Sequence, residues 1–341
     1  MSHPSSISPI RWENKQLILL DQRYLPLKHD DYVCSTLEQA AQGITDLVVR
    51  GAPAIGITAA YAVYLGYQQF KQHADYDFTA ALNELINARP TAVNLAWAVE
   101  QQKALLHGDQ ADVSQQLLDN AKRIHQQDLD DNIKMGGFGA ELIDPGSCVV
   151  THCNAGALAT AGYGTALGVI RSAWSDNKLD QVFASETRPW LQGLRLTAWE
   201  LAEDKIPVTV IVEGAVSSLF NRKNIDWVIV GSDRICANGD VINKVGTCNE
   251  AIMAKHYGVK VMVVAPTSTI DMNTQSGDLV DIENRSESEI LAQNYSQNEL
   301  VSAWNPVFDV TPAGLVSAIV TEKGVVLQPD KDKMLALMSS K

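Results

Sequence analysis

Apolar positions along the chain change period near its middle, and the change sorts the predicted elements into two groups. At the start, Ile10-Arg11-Trp12 and residues 17–20 are apolar around the polar Glu13-Asn14-Lys15, which predicts a hairpin. Helical spacing follows. Ser35 is placed to cap a helix over 36–47, and Pro53 to open one whose apolar body runs over 55–70. Further helical patterns cover 78–88, 93–106 and 113 to about 135. Residues 1–125 are therefore expected to form a mostly helical domain with a small β element.

After Gly136-Gly137 the rhythm becomes that of strands alternating with helices. Continuous apolar runs lie at 148–151, 182–185, 208–212, 227–230 and 261–264, with late ones at 316–321 and 325–327. Buried parallel strands read as such runs, and helices between them give a doubly wound sheet. Residues 126–341 are thus expected to be a Rossmann-like α/β domain with a mainly parallel sheet. The polar stretch 271–288 reads as a long surface loop. In open sheets of this kind ligands bind beyond the carboxyl ends of the strands. The residues just past the predicted strands are His152-Cys153-Asn154-Ala155-Gly156, Glu186-Thr187-Arg188-Pro189, Glu213-Gly214, Gly231-Ser232-Asp233-Arg234 and Pro266-Thr267-Ser268-Thr269. All are polar, and all are expected on one rim.

Composition narrows the function. The 341 residues are 46% hydrophobic and 20% charged, enough to build two cores without covalent staples. A formal net charge of −13 argues against a nucleic-acid partner, yet leaves room for a phosphorylated metabolite held by a few local cations. No run reaches the roughly 20 apolar residues of a membrane span, and MSHPSSISPIRWENK lacks the apolar core of a signal peptide, so a cytoplasmic protein with no membrane partner is expected. The five cysteines, Cys34, Cys148, Cys153, Cys236 and Cys248, are odd in number and show no CxxC spacing. That pattern suits reduced thiols rather than disulfides or zinc.

Five stretches carry candidate chemistry. In THCNAGALAT, Cys153 sits at a strand end, with Gly156 at an expected helix start whose N–H groups would favour an anion or a thiolate. A structural cysteine in a tight turn is the plainer reading; flanking His152 and Asn154 at a binding edge favour the chemical one. In VGSDRICANGDVINKVGT, an apolar strand delivers Asp233, and Asn238, Asp240, Asn243 and Lys244 come next, before a helix. A carboxyl beside apolar surface can serve as an acid near neutral pH; pairing with Arg234 or capping a turn is the equal alternative. Lys244 is either a phosphate partner or a solvated lysine. In VVRGAPAIG, Arg50 beside a free helix N-terminus makes a phosphate cradle or a simple turn. In ARPTAVNLAWAV, Arg89-Pro90 precedes another helix. In SETRPWLQGLRLTAWEL, Glu186, Arg188 and Gln192 are placed for polar contacts, with Trp190 and Leu191 assigned to the core. A GxxxxGK[ST] loop, a strand-terminal GxGxxG, HExxH and CxxC are all missing, so no nucleotide, redox cofactor or metal is expected.

In order along nearly the whole chain, RGAPAIG, ARPTAVNL, THCNAGALAT, ETRPWLQG, SDRICANGDVINKVGT, APTSTID and NPVFDVTPAGLVSAIVTEKG resemble the methylthioribose-1-phosphate isomerase family. That family shares its fold with ribose-1,5-bisphosphate isomerases and with the regulatory subunits of the eukaryotic initiation-factor guanine-exchange complex. The resemblance implies an aldose–ketose isomerase of methionine salvage acting on a small-molecule sugar phosphate, and a homodimer. It implies that Cys153 and Asp233 are catalytic, and that Arg50, Gly51, Ala52, Arg89, Gln192, Asn243 and Lys244 contact substrate. Ser232 stands where the family commonly has alanine. The regulatory subunits are generally non-catalytic, and the Cys–Asp pair favours the enzyme. Ribose 1,5-bisphosphate and 5-deoxyribose 1-phosphate are the alternative substrates.

Overall fold

The computed structural model describes residues 5–89, 93–106, 110–291, 295 and 298–340. Among these the chain divides into two compact units, a helical one (Pro4–Ile133 with Gly156–Gly164) and a sheet-based one (Lys134–Ala155 with Thr165–Lys341). The change of period places the boundary at 125/126; the division falls within one long helix.

The helical unit opens with an antiparallel sheet of β1 (Ile10–Glu13), β2 (Gln16–Leu20) and β3 (Asp31–Cys34). Asn14 and Lys15, at φ 50° and 63°, make the two-residue turn whose twist suits a hairpin. Leu17 and Leu19 are fully buried and alternate with Ile18, as strand periodicity requires. The third strand was not expected, because DYVC is short and polar at one end. Helix α1 (Leu37–Thr45) is capped by Thr36, one residue beyond the expected Ser35. Thr36 accepts from the Gln39 N–H and Gln39 returns its side chain to the Thr36 N–H, a reciprocal box that serine one residue earlier does not form. Helix α2 (Ala52–Gln72) is nearly all small and apolar from Ala54 to Val63 and is buried along that length. It packs closely on α4 (Val93–Lys103), where a Cβ at Gly56 would lie 2.9 Å from the Asn94 carbonyl oxygen. Helix α3 (Phe78–Asn87) lies between them in sequence, and α5 (Gln110–Glu141) runs through Gly136-Gly137 without a break. Pro90 of the Arg89-Pro90 pair lies outside the described residues.

The sheet unit has the expected alternation. Its elements are β4 (Ser147–His152), α6 (Ala166–Ser175), β5 (Leu179–Glu186), α7 (Trp199–Glu203), β6 (Val208–Val212), α8 (Val216–Arg222) and β7 (Trp227–Val230). Then come β8 (Arg234–Cys236), β9 (Val241–Lys244), α9 (Thr247–Tyr257), β10 (Lys260–Val264), β11 (Ile270–Asp271), β12 (Phe308–Thr311), β13 (Ala318–Thr321), β14 (Gly324–Leu327) and α10 (Lys331–Ser339). The main sheet has the order β14-β13-β10-β7-β4-β5-β6, parallel except for β14. Alternate residues serve two cores. Val150, Val228 and Val263 face α8, α9 and α10, whereas Val149, Trp227 and Ile229 face the end of α5 and α6. From β4 the chain winds outward through β5 and β6, then returns to lay β7 on the other side of β4. That reversal is a topological switch point. A second sheet, β11-β8-β9-β12, was not anticipated. Asp233 leads into this strand pair, and the helix comes only after it.

Among the described residues no helix is long and apolar enough to cross a membrane.

Candidate active site

Cys153 directly follows β4, and Asp233 follows β7, the neighbouring parallel strand. Both therefore stand at the carboxyl edge beside the switch point, where such sheets take their ligands. Cys153 has φ 58°, a left-handed conformation that costs a non-glycine residue roughly 1–2 kcal/mol. A strained backbone of this kind persists only where its surroundings enforce it. Here the enforcement comes from below. Thr197 Oγ1 donates to the Cys153 carbonyl oxygen, and Asn154 Nδ2 reaches Thr197 Oγ1 at 3.2 Å and Glu200 Oε1 at 2.6 Å. Glu200 is fully buried and holds the Arg171 guanidinium at 2.7 Å, which also meets Asp204.

Thr197 reaches this position from a π-helical turn, Gly193–Ala198, that precedes α7. Such turns cluster at functional sites because one extra residue rotates the side chains beyond it. The turn packs tightly: a Cβ at Gly193 would lie 2.5 Å from the Ser185 carbonyl oxygen. Gln192, just before it, is buried. Glu186, placed by the sequence for polar contacts with a ligand, accepts from the Thr187, Gly193 and Leu194 N–H groups, so both its oxygens cap this turn. Arg188 reaches the Ile290 carbonyl. Trp190 and Leu191, expected in the core, are 37% and 38% exposed, with the Trp190 indole donating to Glu289. Gly156 is also reassigned: a short 3-10 turn, Ala157–Ala159, comes after it, and α6 begins only at Ala166.

Asn243 and Lys244 end β9 and are buried, although both are polar. Their segment is fastened on either side, to Asp233 and to His152, the neighbour of Cys153. The Asp233 N–H donates to the Ile242 carbonyl at 3.0 Å, and His152 Nε2 lies 2.9 Å from the Val245 carbonyl. Two hydrogen bonds thus tie the segment carrying Asn243 and Lys244 to the loops carrying Asp233 and Cys153. Arg234 pairs with Asp271 at 3.6 Å.

Beneath His152 lies a buried cluster of ionisable groups. Its Nδ1 meets Glu250 Oε1 at 3.2 Å, both side chains almost wholly removed from solvent. Burial opposes the imidazolium, but the adjacent Glu250 carboxylate above all, with the bond to Val245, outweighs it, so the His152 pKa lies above its ordinary value. Glu213 is pushed up by burial, with the Glu250 and Asp309 charges adding to the rise. Asp309 is also pushed up by burial, although it accepts from the Gly246 and Cys248 N–H groups at the start of α9. Gly246, at φ 105°, fits because a Cβ there would strike the Glu213 carboxylate and the His152 ring. The sequence pattern marks His152 but not Glu250, Asp309, Thr197 or Glu200. The available signal was a lone carboxylate within an otherwise buried helical face, as in TAWEL.

Arg50, Gly51, Ala52 and Arg89 belong to the helical unit. Gly51 caps α2 with φ 86°, and Ala52 and Pro53 form its first turn. A Cβ at Gly51 would lie 2.5 Å from that of Ala159, in the turn six residues past Cys153 along the chain. Arg50 is half-buried beside this N-terminus, and Arg89 is half-buried after the Ala88 cap of α3. Gly51→Ala is expected to cost about 1–3 kcal/mol from the backbone alone, with the Ala159 overlap adding to it. Thermal unfolding reads this directly, and an unchanged midpoint would mean that the turn relaxes freely.

A twisted parallel sheet with a switch-point cysteine and aspartate, joined to a helical unit, defines the class. A family model described as the initiation factor 2 subunit family matches residues 48–328. The chain belongs to that family and, within it, to the group of the methylthioribose-1-phosphate isomerases. It is 52% identical over 338 residues to the methylthioribose-1-phosphate isomerase of Thioalkalivibrio sulfidiphilus, covering 98% of this chain and 97% of that one. It is 50% identical to the protein of the same name from Stenotrophomonas maltophilia, covering 97% and 95%. Among solved structures, the 5-methylthioribose 1-phosphate isomerase of Pyrococcus horikoshii OT3 superposes with a TM-score of 0.89 at 36% identity, covering 99% and 96%. The structure described as translation initiation factor eIF-2B subunit delta from A. fulgidus gives 0.83 at 40% identity, covering 97% and 100%.

Proposed function

We propose that this protein isomerises 5-methylthioribose 1-phosphate to 5-methylthioribulose 1-phosphate, an aldose-to-ketose step of methionine salvage, with Cys153 and Asp233 as its chemical pair. The observation that carries the reading is the placement of these two residues at the ends of neighbouring strands at the switch point, in a chain half identical to isomerases of that name.

The substrate carries phosphate on its anomeric oxygen, so its ring does not open as a free sugar does. Opening breaks the bond between C1 and the ring oxygen, and that oxygen must receive a proton. Asp233 in its acid form supplies it. The C2 hydrogen then moves to C1, and the C2 hydroxyl loses its proton to become the ketone. The proton released there replaces the one given to the ring oxygen, so the reaction closes without a cofactor. Two routes satisfy this balance. In one, Cys153 as thiolate removes the C2 proton and a phosphoenol intermediate is reprotonated at C1. In the other, hydride shifts directly from C2 to C1 while Cys153 takes the hydroxyl proton. We carry Arg50, Gly51, Ala52, Arg89, Gln192, Asn243 and Lys244 as substrate contacts. A helix N-terminus and a lysine cation are both suited to phosphate. A cytoplasmic homodimer is part of the same reading.

The test is direct turnover of methylthioribose 1-phosphate by the purified protein, run also in deuterated water. Ketose formation supports the assignment; substantial deuterium at C1 supports the proton-transfer route, and its absence favours hydride shift. A second reading, a non-catalytic subunit, is favoured by the likeness to a chain described as an initiation-factor subunit. A folded protein inactive on this substrate, on ribose 1,5-bisphosphate and on 5-deoxyribose 1-phosphate would establish it.

A further inference from the structure

The π-helical turn before α7 has no role in the chemistry described so far, yet its buried threonine touches the backbone of the proposed catalytic cysteine. We infer that Thr197 is a positioning residue for Cys153: its hydroxyl holds the Cys153 carbonyl and so keeps the left-handed turn that presents the thiol at the carboxyl edge of β4. The inference rests on the isomerase reading for its kinetic test, but the geometry stands without it.

Cys153 occupies a left-handed conformation at φ 58°, which is disfavoured for a residue with a Cβ. Thr197 Oγ1 donates its hydrogen to the Cys153 carbonyl oxygen and accepts one from Asn154 Nδ2, so both functions of the hydroxyl are spent on the turn it supports. Asn154 is fixed in turn by Glu200, and Glu200 by the buried Arg171 and its second partner Asp204. The hydroxyl is therefore oriented by a buried ionic network. The π turn matters because it sets the phase of the helix: one residue fewer would rotate Thr197 by about 100° away from Cys153.

A hydroxyl that only fills space is replaceable by a methyl group of the same shape; one that positions a neighbour is not. Thr197→Val keeps the volume and removes the donor, whereas Thr197→Ser keeps the donor and loses a methyl. In the full-length protein, Thr197→Val is expected to lower kcat by about 10- to 100-fold with little change in KM, the scale of a misplaced reacting group. Thr197→Ser is expected to retain most of the wild-type kcat despite its smaller side chain. Independently of any substrate, alkylation of the Cys153 peptide by iodoacetamide, followed by mass spectrometry against the half-buried Cys148 and Cys248, is expected to change in rate in the valine variant and not in the serine variant. Should the valine variant not fold, Thr197→Ala removes the same hydroxyl without placing a methyl against the carbonyl. Wild-type kcat and labelling in the valine variant, or equal losses in the valine and serine variants, would overturn the inference. A wild type that turns over no sugar phosphate would defeat the isomerase reading instead, and the labelling comparison would then decide the role of Thr197 alone.

Discussion

Cys153→Ser is expected to abolish measurable isomerisation, with kcat lower by about 10²–10⁴-fold, the usual worth of a positioned acid–base group. The reason is the gap in acidity between a thiol and an alcohol. A thiolate is within reach near neutral pH, whereas a serine alkoxide is not, so the variant cannot accept the hydrogen in either route. The substitution changes one atom, and the Thr197 hydroxyl still has the residue 153 carbonyl to hold. KM and thermal stability are therefore expected to stay near the wild-type values. Steady-state kinetics on the ketose product, beside a thermal melt, separates the cases. Substantial turnover by a folded serine variant would remove Cys153 from the mechanism and leave the chemistry to Asp233 and its neighbours.

Glu250→Ala is expected to cost about 3–5 kcal/mol of stability, the scale for breaking one partner out of a buried ion pair. It leaves the His152 ring without its counter-charge in a place that water does not reach. The pH dependence has a definite sign. In the native protein the His152 pKa is raised above 6.5, so its contribution is complete below that value and is lost as pH rises through the higher folded value. Glu213 and Asp309, also raised, act in the same direction: their share is complete below the ordinary values of 4.5 and 3.8 and fades as pH rises. Without Glu250 the main influence opposing burial is gone, leaving only the Val245 bond and the Glu213 charge, and the His152 pKa is expected to fall from its wild-type value. The stability that His152 contributes below its folded pKa is then expected to shrink, so the wild-type fall in stability with rising pH flattens in the variant. Urea unfolding of both proteins across this range reads the two slopes. Parallel slopes, or a loss well under 1 kcal/mol, would show that Glu250 does not hold the imidazolium. Because His152 also fastens Val245, the variant is further expected to bind substrate less tightly if Asn243 and Lys244 are the contacts proposed above.

The central strands of the main sheet were legible in sequence because a strand buried on both faces has no polar alternative: WVIV and KVMVV are Val- and Ile-rich through their cores. The helices α2 and α5 were equally plain from their spacing, and Cys153 and Asp233 could be placed just past two apolar runs, although their expected roles came from the family resemblance. Where a residue's role is set by its immediate neighbours in the chain, or by one long apolar period, the linear pattern was enough. The strands β8, β9, β11 and β12 were not legible, being two to four residues long and half polar. Beyond the β8–β9 hairpin their pairing is non-local as well, with Asn243 opposite Asp309. The same holds for the groups that support the site. His152 meets Glu250, Asp309 reaches the start of α9, and Thr197 holds the Cys153 carbonyl, each across a long stretch of intervening chain. Trp190 and Leu191 were misassigned for a related reason: they lie in the irregular turn between β5 and the π-helical turn, where neither helical nor strand periodicity tells which side chains face inward. The sheet, its binding edge and the two residues that stand on it were thus written in the order of residues. How those two are held was settled by folding alone, because buried polar groups choose partners by where the fold brings them, and a linear pattern records only adjacency and period.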